Sequence, residues 1–183
     1  MRRYVERVIL AFALAIAFSV TSPPASAQSF TLEQVMGSPF PSELTVSKRG
    51  DKIAWVFDAE GKRNLWIAEG PIFAARQLTR YDNDDGQQLS ELVFSPAANM
   101  IAYVRGGEQN QSGEVPNPTS DTAGMRQQVM LVDVRMGRIT NLAEGSGPVF
   151  TTDGAQVIYN RDGHFWSAPA IGGKEHKLFE MRG

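Results

Sequence analysis

Three segments of this chain align without gaps: LTVSKRGDKIAWV at residues 44–56, LVFSPAANMIAYV at residues 92–104 and PVFTTDGAQVIYN at residues 148–160. Each contains a hydroxyl residue, a β-branched aliphatic residue six positions later and an aromatic residue eight positions later. The hydroxyl residues are Ser47, Ser95 and Thr151, the aliphatic residues are Ile53, Ile101 and Val157, and the aromatic residues are Trp55, Tyr103 and Tyr159. This agreement indicates an internal repeat.

Two further apolar runs follow each of these segments, separated by turn residues. The third run of each repeat lies at residues 65–68, 129–132 and 165–168, and the fourth at residues 77–79, 139–142 and 176–179. Each repeat thus consists of four short strands in sequence, which is typical of a propeller blade. We therefore predict an all-β fold, a partial β-propeller of about three four-stranded antiparallel blades at residues 41–80, 88–143 and 146–183.

The strand at Ile53–Phe57 does not alternate between apolar and polar residues. Such a strand is covered on both faces, as in blades that stack face to face, whereas a two-sheet sandwich leaves one face wet. The repeat therefore predicts that Trp55, Tyr103 and Tyr159 occupy equivalent buried positions between blades.

The composition is that of one folded domain without disulfide bonds. Of the 183 residues, 42% are hydrophobic and 21% are charged, and there is no cysteine. That absence excludes disulfides, thiolate zinc sites and a cysteine nucleophile. The net charge of −2 becomes more acidic once an Arg-rich leader is removed, so we expect no nucleic-acid partner.

The first 27 residues have the pattern of a secretory signal peptide. Arg2, Arg3 and Arg7 form a positive start, Val8–Val20 is apolar apart from Ser19, and Ala25-Ser26-Ala27 is a small-residue cleavage site. A membrane anchor is the alternative, but this run makes only about 20 Å of helix, short of the ~30 Å hydrocarbon core. We predict cleavage after Ala27, a periplasmic or secreted protein, and no stable membrane span after cleavage.

Residues 28–40 are predicted to form a short helix and an extended lead-in to the first blade. Thr31 and Gln34 have the spacing of a capping box, which predicts a helix over residues 31–36 that ends near Gly37. Pro39 and Pro41 then favour extended backbone.

The residues that carry these patterns resemble a known family. The run from Ser95 to Tyr103 is similar to the Tol-type or WD-like propeller repeat. Four other segments resemble the N-terminal propeller of secreted prolyl oligopeptidase-family serine peptidases, and the likeness covers almost the whole chain after the leader. These segments are Phe30–Met36, Arg76–Thr79, Asp84–Gln87 and Asn117–Asp121. The resemblance implies a ring of blades that admits peptides to a hydrolase domain and excludes folded proteins.

The chain departs from that family at one turn and in its catalytic residues. Ala97-Ala98 stands where the family turn has Asp-Gly, which would cost about 1 kcal/mol if the second position has a positive φ. The nearest string to the family's Gly-x-Ser-x-Gly elbow is Gly145-Ser146-Gly147, which lacks its spacing. We interpret His164 and His176 as surface strand residues. The sequence therefore predicts no catalytic, cofactor or metal site, and enzyme activity is left undecided.

Two functions stay open at this point. The first is the substrate-gating propeller of an exported prolyl oligopeptidase-like serine peptidase, whose partner is a peptide reached through a hydrolase domain. The alternative is a non-enzymatic Tol-like periplasmic scaffold that binds another protein. Since propellers close with four to eight blades, we expect a fragment of a longer protein. The apolar face around Phe165 and Trp166 would make it prone to self-association.

Two loops are rich in acidic or polar residues of the kinds found in binding sites. The run Asp82–Gly86 is rich in acidic residues, but the calcium-loop pattern would place Tyr81 and Leu92 at ligand positions, so we interpret it as a turn between blades. Residues 105–127 form a polar insertion between the second and third strands of its blade. Such an insertion either borders a substrate entrance or is a passive surface loop, and the second interpretation is favoured.

Overall fold

The structure, a computed structural model, describes residues 30–120, 122 and 124–180. The predicted leader, its cleavage site and the last three residues lie outside the described residues. The chain divides into two compact units, Met1–Val35 and Met36–Gly183. Near the boundary, helix α1 (Leu32–Met36) begins with the predicted capping box. The Gln34 N–H donates to Thr31 Oγ1 at 3.2 Å, and the Thr31 N–H donates to Gln34 Oε1 at 3.0 Å.

Twelve strands in the described residues form three antiparallel sheets of four, each ordered as in the sequence. These three sheets are the predicted blades. Blade 1 consists of β1 (Phe40–Val46), β2 (Lys52–Ala59), β3 (Lys62–Glu69) and β4 (Ala74–Gln77). Blade 2 consists of β5 (Leu89–Phe94), β6 (Met100–Arg105), β7 (Gln128–Asp133) and β8 (Ile139–Glu144). Blade 3 consists of β9 (Ser146–Phe150), β10 (Gln156–Arg161), β11 (His164–Pro169) and β12 (His176–Glu180).

The repeat hydroxyls hold the turn between the first and second strand of each blade. Each accepts a hydrogen bond from the N–H five residues later, at 3.0 to 3.1 Å. Each also donates to a side-chain oxygen within the turn, on Asp51, Asn99 and Asp153 respectively. These bonds replace main-chain partners that the turn cannot supply, which is why a hydroxyl residue recurs there.

Ala98 has the positive φ that the sequence comparison raised as a possibility. Its φ is 53°, beside 72° for Gly50 and 74° for Gly154 at the equivalent positions. The second repeat therefore keeps the left-handed turn of the other two and accepts the backbone cost of a Cβ atom there.

The fourth strand of blade 1 ends at Gln77, earlier than predicted, and beyond it the main-chain bond from the Leu78 N–H to the Leu65 carbonyl is supplemented by side chains. Leu78 and Thr79 follow β4 as buried residues. The Leu65 N–H donates to Thr79 Oγ1 at 2.9 Å, and the Thr79 hydroxyl donates to Asn64 Oδ1 at 3.0 Å. The Asn64 amide also holds the main chain of Tyr81 through two hydrogen bonds, so the exit from blade 1 is ordered without a strand.

Two apolar clusters lie between successive blades. Tyr103 and Ile101 of blade 2 are fully buried against Ala54, Val56 and Leu65 of blade 1. Val157 and Tyr159 of blade 3 are fully buried in the same way against blade 2, where they meet Ala102, Val129 and Leu131. In blades 2 and 3, the aliphatic and aromatic positions of the repeat thus lie on the face that packs against the preceding blade.

The prediction that Trp55 is buried like these tyrosines is wrong. Trp55 is only half-buried, since it lies on the face of β2 opposite Ala54 and Val56, which pack against blade 2. No described blade covers the Trp55 face. The prediction that the open face of blade 3 includes Trp166 is also wrong, because Trp166 packs toward blade 2 with Tyr159.

The first strands of the three blades are joined by a chain of carboxylate hydrogen bonds. Each has a bulge whose residue has a positive φ: Glu43 at 56°, Glu91 at 55° and Gly147 at 65°. The Glu91 N–H donates to Glu43 Oε2 at 2.9 Å, and the Gly147 N–H donates to Glu91 Oε2 at 2.5 Å. We call this chain the carboxylate relay. It connects each blade to the next through the same repeat position.

Candidate functional site

The insertion of blade 2 is anchored at both ends by main-chain hydrogen bonds. It leaves β6 at Gly106, whose N–H donates to the Gln88 carbonyl at 3.0 Å. It rejoins β7 beside Gln127, whose carbonyl accepts from the Gly145 N–H at 2.9 Å. The insertion is therefore tied both to the segment that enters blade 2 and to the segment that leaves it.

Close contacts between proline and glycine also hold the insertion against the blades. Pro116 lies against Gly107, where a Cβ atom would be 3.0 Å from its ring, and Pro118 lies against Gly86, where a Cβ atom would be 2.4 Å away. Asn110 Oδ1 accepts from the N–H groups of Ser112 and Glu114 at 2.9 and 3.0 Å, which orders the turn between them. These contacts hold the described part of the insertion up to Pro118 in place beside a cavity.

The cavity lies between the insertion, the link from β8 to β9 and the turn from β10 to β11. Its volume is about 860 Å³, within the range of small-molecule and cofactor sites. Most of its wall consists of polar side chains and glycine backbone. The residues that carry side-chain hydrogen-bonding or charged groups are Gln109, Glu114, Asn117, Arg126, Gln127, Glu144, Ser146, Asn160, Arg161 and Asp162.

Two arginines with different surroundings face this cavity. Arg126 pairs with Glu144 at 2.5 Å while two thirds of its side chain is exposed, and this carboxylate raises the pKa of Arg126. Arg161 makes two hydrogen bonds to Glu175, at 2.8 and 3.0 Å, and lies 4.0 Å from the centre of the Trp166 ring. Arg161 is thus fixed in place, whereas Arg126 is the more accessible cation.

Glu175 also accepts a hydrogen bond from the Tyr159 hydroxyl. The Arg161 guanidinium and this hydroxyl hold the pKa of Glu175 below its ordinary value of 4.5. Burial, followed by the contact with Glu175, raises the pKa of Tyr159. Arg161, which lines the cavity, is therefore held from behind by Glu175, and Glu175 in turn by the neutral phenol of the buried Tyr159.

Gly145 is required at the cavity floor. Its φ is 143°, and a Cβ atom there would lie 2.4 Å from the Asn160 carbonyl oxygen. Asn160 Oδ1 is buried and has no hydrogen-bond partner among the described residues. Close approach of β9 and β10 at this point explains why a glycine begins the Gly145-Ser146-Gly147 string.

Ser146, the residue nearest to a serine elbow, lies at the start of strand β9 and is followed by strand β10. The elbow of a hydrolase needs a strand followed by a helix, so the geometry around Ser146 is different. His164 begins β11, with Nδ1 2.6 Å from the Asp162 carbonyl oxygen. His176 lies opposite Ser167 in the pairing of β11 with β12. Both histidines are strand residues, as the sequence indicated.

In the acidic loop Asp82–Gly86, the carboxylates of Asp84 and Asp85 contact arginines and main-chain N–H groups. Asp85 pairs with Arg105, whose guanidinium lies 5.0 Å from the centre of the Tyr81 ring. Asp84 lies 3.8 Å from Arg63 and accepts from the Gly86 N–H at 3.1 Å. Within the described residues, no group of three or more acidic or histidine side chains is placed to hold a metal ion.

Sequence reasoning identified the insertion but missed the residues that meet beneath it. Arg126 is in the insertion, while Glu144 and Asn160 belong to strands of two blades. Their proximity depends on how the blades pack, which no local pattern encodes. The glycines at positions 145 and 163 were the available signal, because a backbone that approaches a neighbour closely needs them.

None of the helices in the described part of the chain is long and apolar enough to cross a membrane. No protein-family model and no curated protein matches the chain. Solved structures do resemble it, at low sequence identity.

Among these structures, TolB from Acinetobacter baumannii is 16% identical with a TM-score of 0.50, over 74% of this chain and 31% of that one. The acylaminoacyl peptidase of Pyrococcus horikoshii is 14% identical with a TM-score of 0.52, over 76% of this chain and 25% of that one. A prolyl endopeptidase is 12% identical with a TM-score of 0.55, over 79% of this chain and 23% of that one.

The chain thus spans only about a quarter to a third of the length of these structures. Likeness at such identities establishes the fold. The predicted fold class is confirmed: the chain forms three four-stranded antiparallel blades of a β-propeller.

Proposed function

We propose that this chain is the substrate-gating part of an exported prolyl oligopeptidase-like serine peptidase. The observation that carries the proposal is the cavity beneath the insertion of blade 2, which is built from polar side chains and exposed glycine backbone. The propeller fold and its likeness to an acylaminoacyl peptidase and a prolyl endopeptidase are consistent with it. In this proposal, catalysis belongs to a hydrolase domain, and the blades select which peptides reach it.

The chemistry of the cavity suits an extended peptide. A peptide backbone offers alternating N–H donors and carbonyl acceptors. Glu114 and Glu144 provide acceptors, Arg126 provides donors, and the exposed glycines at 113, 124 and 163 leave main-chain groups approachable. Because the charges are mixed rather than of one sign, we expect contacts to the backbone and termini of a peptide more than to one side-chain type.

Arg126 is the residue with which to test peptide binding. Its guanidinium is exposed, and its carboxylate partner leaves donors available for a peptide carbonyl or terminal carboxylate. We expect fluorescein-labelled mixed hexapeptides to bind the chain, measured by fluorescence anisotropy. Arg126→Gln should raise the dissociation constant about fivefold or more, the loss of roughly one charge-assisted hydrogen bond.

Arg138→Gln is the matched control, because Arg138 is an exposed arginine that does not line the cavity. Its peptide affinity should equal that of the unaltered chain. Absence of saturable binding, or equal losses in both variants, would exclude the cavity as a peptide site.

The reading frame downstream of Gly183 tests the assignment to a peptidase separately. A hydrolase domain with a Gly-x-Ser-x-Gly elbow is the expected result. A Tol-like periplasmic scaffold that binds another protein is the second candidate, favoured by the likeness to TolB. A frame that encodes no such domain would support the scaffold instead.

A further inference from the structure

The insertion of blade 2 carries an Asn-x-Ser tripeptide, formed by Asn110, Gln111 and Ser112. This is the acceptor pattern of N-glycosylation, which requires that the middle residue is not proline and that the segment is a surface loop of an exported protein. All three residues are exposed, and the leader predicts export. The tripeptide therefore has both the sequence and the surroundings that the modification needs.

The tripeptide lies in a turn that is closed by its own hydrogen bonds. The Asn110 N–H donates to the Glu114 carbonyl at 2.9 Å, and the Gly113 N–H donates to the Asn110 carbonyl at the same distance. Asn110 Oδ1 accepts from the main-chain N–H groups of Ser112 and Glu114. These bonds lie within five residues, so the shape of the turn is set locally and not by a strand of a blade.

The amide nitrogen of Asn110 is held only at the surface by its described contact. Asn110 Nδ2 donates to Glu114 Oε2 at 3.1 Å, and both side chains are exposed. Such a bond exchanges for bonds to water at little net cost. A Cβ atom on Gly113 would meet nothing within 4 Å, so there is open space beside the turn. A transferase can therefore reach this nitrogen without opening the packing of a blade.

A second near-match in the insertion shows what the pattern excludes. Asn117 and Thr119 have the correct spacing, but Pro118 lies between them. Proline has no N–H and a fixed φ, so it does not allow the turn that an acceptor asparagine adopts with its hydroxyl residue. The Pro118 ring also lies against Gly86. The insertion thus contains one complete acceptor site, at Asn110, and one blocked site, at Asn117.

We propose that Asn110 is an N-glycosylation site, modified after export by an oligosaccharyltransferase whose donor is an oligosaccharide linked to a polyprenyl diphosphate. In this reaction Asn110 Nδ2 forms a bond to the anomeric carbon of the oligosaccharide. The bond between that carbon and the diphosphate oxygen breaks, and polyprenyl diphosphate leaves with its electron pair. The nitrogen loses one proton, which the transferase passes to solvent, and no oxidant or reductant is needed.

A glycan on Asn110 would begin at the rim of the cavity. Gln109 and Glu114, on either side of the tripeptide, line that cavity, so a bulky oligosaccharide would restrict the approach of large ligands to it. The insertion belongs to blade 2, which has a described blade packed on each of its faces. The inference stands on the tripeptide and its exposure and not on peptide binding, so the two proposals can fail separately.

The test uses the full chain purified from a host that has no oligosaccharyltransferase. The folded chain is incubated with a purified transferase and a polyprenyl-diphosphate-linked oligosaccharide, and intact mass and fragmentation of the proteolytic peptides locate any addition. We expect one oligosaccharide per chain, on Asn110, while Asn117 stays unmodified. A synthetic peptide of residues 106–116 should be modified as well, and an unrelated acceptor peptide verifies that the transferase is active.

Substitutions at the hydroxyl residue separate recognition from folding. Ser112→Ala removes the hydroxyl at an exposed position and should lower the modified fraction at least about tenfold, whereas Ser112→Thr completes the same pattern and should keep it. Asn110→Gln should abolish the modification. Circular dichroism and thermal melting verify that the variants are folded.

Three outcomes would overturn the proposal. They are no addition to the folded chain by an active transferase, addition at Asn117 in place of Asn110, and equal modification of the Ser112→Ala variant. Modification of the free peptide but not of the chain would show that the turn is closed to the transferase in the folded state. None of these results changes the outcome of the peptide-binding or reading-frame tests.

Discussion

The repeated hydroxyl residue acts on the backbone of its own turn. Ser47, Ser95 and Thr151 each accept from an N–H at the start of the second strand and donate to a side chain in the turn. Sequence spacing alone could find these residues because the interaction is local. These hydrogen bonds give the recurring hydroxyl residue a structural role in the turn.

Ser95→Ala tests this role. The Met100 N–H would lose its acceptor in a nearly buried turn, so we expect the free energy of unfolding to fall by about 1 to 2 kcal/mol. Chemical denaturation followed by tryptophan fluorescence measures the change. Ser112→Ala, at an exposed position of the insertion, should alter stability by less than about 0.5 kcal/mol. Equal effects would contradict the assigned role.

Glu175 makes the stability of the fold depend on pH in the acid range. Its pKa is lowered in the folded state by Arg161 and then by Tyr159. A carboxylate of this kind stabilises the fold above its unfolded pKa, and the contribution disappears as the pH falls through the lower folded value. Glu175→Gln should therefore be less stable than the unaltered chain near neutral pH, and the difference should shrink as the pH falls below about 4.5.

Thermal melting across an acid pH series measures that difference. Glu108→Gln, at an exposed position in the insertion, is the control and should follow the unaltered chain. A Glu175→Gln deficit that stays constant from neutral to acid pH would show that the paired carboxylate is not its source.

At the scale of strands and blades, the aromatic position of the repeat has a different environment in blade 1 than in blade 2. Tyr103 is fully buried between blades 1 and 2, and its hydroxyl lies 2.8 Å from that of Tyr81. Burial raises the pKa of Tyr103 far above its ordinary value, so it stays a neutral core residue. Trp55 occupies the equivalent repeat position but lies in an open groove. Burial thus follows from the neighbouring blade, not from the strand itself.

Alanine substitution at these two positions should separate the environments. Tyr103→Ala should cost about 3 to 5 kcal/mol, as for other buried aromatic residues. Trp55→Ala should cost much less, because part of its side chain already contacts solvent. Chemical denaturation measures both. Equal costs would mean that the Trp55 face of blade 1 is covered in solution.

This comparison shows what the sequence could and could not predict. The strands, their order and the insertion followed from local patterns, as did the capping box at Thr31. Which faces are covered did not, because Ile53-Ala54-Trp55 has the same apolar pattern as Ile101-Ala102-Tyr103 while only the second has blades on both sides. The cavity was also inaccessible to sequence reasoning, since Arg126 and Asn160 meet only through the packing of blades 2 and 3.

For the whole molecule, the carboxylate relay joins the three described blades in the same way at both interfaces. Glu43 and Glu91 each accept from the bulge N–H of the following blade, in spite of the backbone cost of a positive φ. The relay therefore adds one charge-assisted hydrogen bond to each of the two apolar interfaces between blades.

Glu91→Ala tests the relay at the interface between blades 2 and 3. The Gly147 N–H would lose its charged acceptor, while the Cβ atom and the positive φ at position 91 are retained. We expect the free energy of unfolding to fall by about 1 kcal/mol, because the bond is near the surface. Glu108→Ala removes an exposed carboxylate of the insertion and is the matched control, with an expected change below about 0.5 kcal/mol. Chemical denaturation measures both variants, and equal effects would show that the Glu91 carboxylate does not stabilise the packing of blade 3 on blade 2.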